Sequence, residues 1–133
     1  MRYKCLTVHQ PWAELIREGE KTIEVRSWRT NYRGPLVICA SAQKITVEYE
    51  DEDGKMVKET LPYGCTVAIC HLVDCRPLVK EDLYDACMDD IEDLDWSELE
   101  GSWAWVLADI RPLPNIPVKG KQRIFECDLD LPV

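Results

Sequence analysis

The hydrophobic rhythm of the chain changes period at Gly19, and that change limits the folds open to it. Before it, Trp12, Leu15 and Ile16 recur at helical spacing. After it, Ile23 and Val25 alternate with Thr22, Glu24 and Arg26, the period of a half-buried strand. Pro11 suits the first position of a helix, where its missing N–H costs nothing, and Gly19 suits the C-terminal cap. The pattern therefore predicts a short helix over 11–18 followed by a strand over 21–28. The apolar face of that strand goes to the core. Its other face carries Glu24, Arg26 and Trp28, same-face neighbours being roughly 7 Å apart.

The remaining segments are mostly strand-like. Residues 2–8 alternate as a first strand, and Leu36 to Ala42 is a continuous apolar run suited to a buried strand. Residues 45–62 read as an inserted hairpin, with Asp53-Gly54 at its tip. Its acids also evoke a calcium loop, but the ligand pattern and closing glutamate are missing. Gly64 to Cys75 is strongly β. Leu83, Cys87, Ile91 and Leu94 then follow at helical spacing, which predicts a helix in at least the first half of 80–99. Trp103, Trp105 and Leu107 share one face of a further strand, and 123–129 is a last one. Strands and helices do not alternate regularly, which disfavours a parallel α/β sheet. The expected class is α+β: a small mixed β-barrel with two short helices.

A length of 133 residues suits a single domain over 1–133 with one core. Neither a membrane span nor a secretory leader is evident, which points to a reducing, cytoplasmic setting. The seven cysteines fit that setting as small core residues. Cys65, Cys70 and Cys75 are five apart, unlike zinc-site spacing, so neither metal nor cofactor is suggested. The net charge of −9 argues against a protein that coats nucleic acid by charge alone. The charge is unevenly spread, however. Segment 81–100 holds ten acids and no base, while 111–123 holds Arg111, Lys119, Lys121 and Arg123 with no acid. Arg26, Arg29, Arg33 and Lys44 form another acid-free group. A positive face on an acidic body and a plainly mixed surface both remain open.

These residues carry a family pattern. The runs His9-Gln10-Pro11-Trp12-Ala13, Gly19 to Arg26 and Tyr32-Arg33-Gly34 resemble the ASCH domain (activating signal cointegrator 1 homology). Trp103 to Leu107 and Pro117 to Gln122 also look like that family's closing strands. The resemblance spans the chain apart from the 45–62 insertion. It implies a PUA-like barrel with a cleft beside the first helix, binding RNA or another nucleic acid. Some members are transcription coactivator modules. A small bacterial branch hydrolyses N4-acetylcytidine with a lysine and a threonine of a Lys-Thr-x-Thr-x-Arg motif and a distant glutamate. Lys21 and Arg26 match that motif, Glu24 replaces the second threonine, and the distant glutamate has no clear counterpart.

The candidate ligand-binding residues are Lys21, Glu24, Arg26, Trp12, Trp28, Arg33, Lys119 and Lys121. Arginine forks onto phosphate or a base edge, glutamate accepts from an exocyclic amine, and an indole offers a stacking face. Each has a plainer reading: a surface ion pair for Glu24 and Arg26, barrel packing for the tryptophans, turns for Arg33 and for 119–121. His9 is expected to cap or pack near the helix start. Were the protein an enzyme, Lys21 and Glu24 would be its catalytic pair, as a lysine-assisted hydrolase or ribonuclease acting on a nucleoside or RNA. Three functions follow: a module binding RNA or a modified nucleoside, with DNA as the alternative strand; that hydrolase; or a protein-interaction module using the acidic 81–100 face.

Overall fold

The computed structural model describes residues 1–132. Among these residues, eight strands and two helices run in the order β1 (Arg2–Val8), α1 (Trp12–Arg17), β2 (Ile23–Arg26), β3 (Gly34–Ala40), β4 (Thr46–Glu50), β5 (Met56–Thr60), β6 (Cys65–Pro77), α2 (Trp96–Leu99), β7 (Trp103–Pro112) and β8 (Ile124–Asp128). A 3₁₀ turn, Lys80–Leu83, precedes α2. Six strands form one sheet in the order β2-β7-β6-β3-β1-β8, and β4 and β5 pair with each other. Among the described residues only the β1–β3 ladder is parallel. The class is α+β as expected, but the barrel is not. Among the described residues no ladder joins β2 to β8, so the sheet stays open.

Strands β1 and β3 lie in mid-sheet and are covered on both faces. Leu6, Val8, Leu36 and Ile38 enter one cluster with α1, while Cys5, Val37 and Cys39 enter a second with Leu113 and Phe125. This is why Leu36 to Ala40 reads as an unbroken apolar run. The extended stretch after β7 serves as the lid of the second cluster, where burial of Leu113 contributes about 1.5–3 kcal/mol. Cys5, Cys39, Cys65 and Cys70 are buried, and all seven cysteines are unpaired. Burial pushes the Cys70 thiol up to about 12, so it behaves as an inert core side chain.

Helix α1 ends as its sequence predicts. Gly19 takes φ +81°, its N–H bonds the Ile16 carbonyl, and the Glu20 N–H bonds that of Leu15, which is a Schellman cap. Its start differs: Pro11 is the N-cap rather than the first helical residue. The cap's duty falls to Gln10, whose side-chain oxygen accepts the Glu14 N–H at 2.9 Å while its amide donates to the Pro62 carbonyl at 3.0 Å.

The helix expected over the first half of 80–99 does not form; beyond the 3₁₀ turn the chain runs through turns to α2. Cys87 and Asp93 adopt left-handed φ of 58° and 59°, which a helix cannot contain. Clustered like charges also repel across a helical turn. Asp82 instead accepts two bonds from the Arg76 guanidinium, at 2.7 and 2.9 Å, and buried Ala86 packs with Ile23, Leu78 and Ala104. The hairpin forms where expected. The Asp51 carboxylate accepts the N–H groups of Asp53 and Lys55, both at 2.9 Å, and so builds its turn.

Candidate nucleotide-binding cleft

Two adjoining hollows open between α1, β2 and the turn that precedes β8. The inner one, of about 360 Å³, is lined by Trp12, Lys21, Glu24, Arg26 and parts of the 88–99 segment. The outer one, of about 780 Å³, is lined by Thr7, Arg26, Trp28 and residues 118–123. His9, Arg26 and Trp28 line both, so together they form one cleft.

Alternation along β2 produces the inner wall. Ile23 and, in part, Val25 pack beneath the 78–99 segment, which turns Glu24 and Arg26 to the cleft, and Val25 also reaches the inner hollow. Lys21, only 1% exposed, lies just before the strand. Its ammonium donates to the Ala86 carbonyl at 2.7 Å, lies 3.6 Å from Glu24 Oε1 and sits 4.9 Å from the centre of the Trp12 ring. Burial holds the Lys21 pKa below its ordinary value, and the Glu24 carboxylate partly offsets the shift. Arg26 grips the other carboxylate oxygen with Nε at 3.0 Å and the terminal nitrogen Nη2 at 2.9 Å; Nη2 also donates to the Thr7 carbonyl at 2.6 Å. Glu24 is thus shared by two cations, and both are tied to backbone carbonyls of other segments. A carboxylate so engaged is a fixed acceptor, and a lysine so engaged is a buried charge held in place.

The outer hollow has a different character. Arg26, Lys119, Lys121 and Arg123 line it, and none of its lining residues is acidic. On a chain of net charge −9, this is a locally positive concavity. Trp28 is held edge-on to Trp105, with ring centroids 4.7 Å apart, and its carbonyl accepts the Trp105 indole N–H at 3.2 Å. The Arg123 guanidinium lies over Trp28, 4.9 Å from the ring centre. Gly120 brings the basic turn close to β1: a Cβ there would fall 2.7 Å from Thr7 Oγ1. The Val118 N–H fastens the same turn to the Gly64 carbonyl at 2.9 Å.

Lys21, Glu24, Arg26, Trp12 and Trp28 therefore meet in the cleft, and Lys119 and Lys121 form its outer wall. Trp12 and Trp28 also pack against the main core, as their plainer reading expects. Arg33 is not brought there. Its guanidinium bonds the carbonyls of Thr30 and Tyr32 and reaches toward Asp74, away from both hollows. His9 lines the cleft: its carbonyl accepts the Ala13 N–H at 3.2 Å at the helix start, and its imidazole lies 2.9 Å from Ser41 Oγ. Thr7, Gln122 and Arg123 are cleft residues outside the set of candidates read from the sequence. Of these, Arg123 carries a signal, as the last base of the acid-free 111–123 run.

The fold and cleft define a small mixed α+β domain with a basic, aromatic-walled pocket. The ASCH domain family model matches residues 6–114, and the chain belongs to that family. It is 31% identical over 137 aligned positions to Activating signal cointegrator 1 of Homo sapiens, and 29% identical over 135 to that of Mus musculus. Each alignment covers 93% of this chain but 22% of the relative, so the chain spans about a fifth of those proteins. Among solved structures, ASCH from Zymomonas mobilis is similar at a TM-score of 0.62 and 14% identity, covering 95% of this chain and 87% of that one. A tyrosine-to-phenylalanine variant of the same bacterial protein is similar at 0.63 and 14%, covering 95% and 90%. At such identity the likeness is one of fold.

Proposed function

We propose that this domain binds single-stranded RNA, or a nucleotide derived from it, in the cleft beside α1, without chemistry. The outer hollow carries this reading, because it gathers four cations around an indole and contains no carboxylate. Arg26, Lys119, Lys121 and Arg123 meet phosphates. A base enters against Trp28, exchanging with or stacking upon the Arg123 guanidinium. Glu24, fixed by two cations, accepts from an exocyclic amine at the inner end. The cointegrator name that its relatives carry is consistent with a recognition module, and DNA is the second strand type such a cleft would take.

Fluorescence anisotropy of an oligouridine against rising salt tests this reading. Three to four phosphate contacts give a log–log slope of about −2 to −3 on single strands. Lys121→Ala, an exposed change, lowers both the affinity and the slope, and Arg26→Ala lowers affinity further. Salt-insensitive binding that ignores both substitutions sinks the proposal.

One observation favours a second reading. A buried lysine with a lowered pKa beside a carboxylate is a chemically competent proton-transfer pair for amide or phosphodiester hydrolysis. Wild-type protein that yields no product from acylated nucleosides or RNA after long incubation removes it.

A further inference from the structure

A third concavity, of about 980 Å³, lies beyond Ala42, which is a wall of both it and the outer hollow. It too has no acidic residue in its lining, although the hairpin beside it is rich in acids. Tyr63 stands in it, 43% exposed, and the Lys44 ammonium lies 5.0 Å from the centre of its ring.

The loop that carries Tyr63 is braced on both sides of the ring. The Pro62 carbonyl before it accepts from Gln10 at 3.0 Å. The Gly64 N–H after it bonds the Ala40 and Ser41 carbonyls at 3.1 and 2.9 Å, and the Gly64 carbonyl accepts from Val118. Gln10 also starts α1, Ser41 touches His9, and Val118 lines the outer hollow. The Tyr63 loop is therefore braced by the same residues that shape the cleft. An exposed ring carried on a braced loop beside a cation, in a hollow without carboxylates, suits a stacked base with its phosphate alongside.

We propose that this concavity is a second subsite, taking nucleotides of the strand that continues past Ala42 from the cleft. Tyr63 stacks a base and Lys44 meets its phosphate. The proposal rests on the cleft being the nucleic-acid site, and it specifies the ligand as an extended single strand rather than an isolated nucleoside.

The test compares two ligand lengths on the intact chain. One is a strand of about eight nucleotides, within the roughly 4–16 that single-strand folds span. The other is a dinucleotide, followed by intrinsic tryptophan fluorescence. Tyr63→Ala is expected to weaken the long strand by about 5- to 100-fold and leave the dinucleotide unchanged. Lys44→Ala weakens the long strand several-fold, and Tyr63→Phe retains its binding. Oligouridine and oligodeoxyuridine are both measured; a length-dependent loss in either supports the subsite, and the series showing it identifies the sugar. If Tyr63→Ala and Lys44→Ala leave the long strand untouched while Arg26→Ala weakens it, the subsite is overturned and the cleft stands. If wild type binds neither length, both fall.

Discussion

Replacing Glu24 by glutamine should reveal how the cleft is held together. Glu24 is 7% exposed and Lys21 1%, so the pair is buried, and the substitution leaves a lysine with its charge largely uncompensated. Removing one partner of a buried pair costs about 3–5 kcal/mol. With a urea m-value of roughly 1–3 kcal/mol/M, the unfolding midpoint falls by about 1–5 M. Lys21→Met removes the charge and keeps the volume, losing mainly the bond to Ala86, a cost of about 1–3 kcal/mol. In the Lys21→Met background Glu24→Gln should therefore cost much less, since only the Arg26 contact is lost. The pH dependence has a definite sign. The folded-state pKa of Lys21 lies below its ordinary 10.5, so the folded protein releases this proton first. The cost of burying the charge is fully present below the folded pKa and is relieved as pH rises toward 10.5. The stability of wild type relative to Lys21→Met thus climbs through that alkaline window. Paired urea titrations across it provide the assay. A flat difference, or a Glu24→Gln cost no larger than that of an exposed ion pair, refutes the reasoning.

Three further outcomes follow from the geometry. Gly120→Ala should lift the basic turn off β1 and weaken oligouridine binding several-fold, and Thr7→Ala in the same chain should restore it by removing the clashing hydroxyl, as read by anisotropy. Asp82→Ala should destabilise by about 1–2 kcal/mol, toward the low end for charged hydrogen bonds because the Arg76 side chain is 40% exposed. Arg76 holds the Asp82 carboxyl below its ordinary value, so that contribution is present at neutral pH and lost in acid as pH falls through the lowered pKa, which acid titration of wild type against variant detects. Replacing 47–59 with a short Gly-Ser link should leave the circular dichroism of the six-stranded sheet and its cooperative melt intact, because β4 and β5 pair only with each other.

The legible parts of this chain are those where a single rule decides the outcome. Strand β1 falls at 2–8 and the hairpin within 45–62, where alternation and turn residues agree. Strand β2 is shorter than expected at both ends, yet its period still places Glu24 and Arg26 opposite Ile23 and Val25. The helix over 80–99 fails because spacing alone suggests it. Leu83, Cys87, Ile91 and Leu94 have the right intervals, but Ile91 is 38% exposed and Cys87 turns left-handed, so no apolar stripe exists. The expected barrel fails because local patterning does not say which strands end the sheet: β8 pairs with β1, but among the described residues no ladder joins the edge strands β2 and β8. Arg33 lies away from the cleft because a basic residue in a turn can satisfy itself on neighbouring carbonyls. Gly120 carries no positive φ, and its need for space arises from a β1 residue far away in sequence.

The open sheet has two rims, and they are guarded by different means. At β2 the N–H groups of Thr22 and Ile23 are already spent on the Asp85 carbonyl, so another molecule's strand finds that rim plugged by a loop. At β8 the approach is studded with Glu126 and Asp128, each tied to a base on β1, which makes the rim unwelcoming to a flat apolar ribbon. Fibril-like stacking is thereby discouraged at both ends, and the plug at β2 is the same acidic segment whose Ala86 carbonyl secures Lys21. Loosening that segment would therefore unseat the lysine and uncover a templating edge in one step.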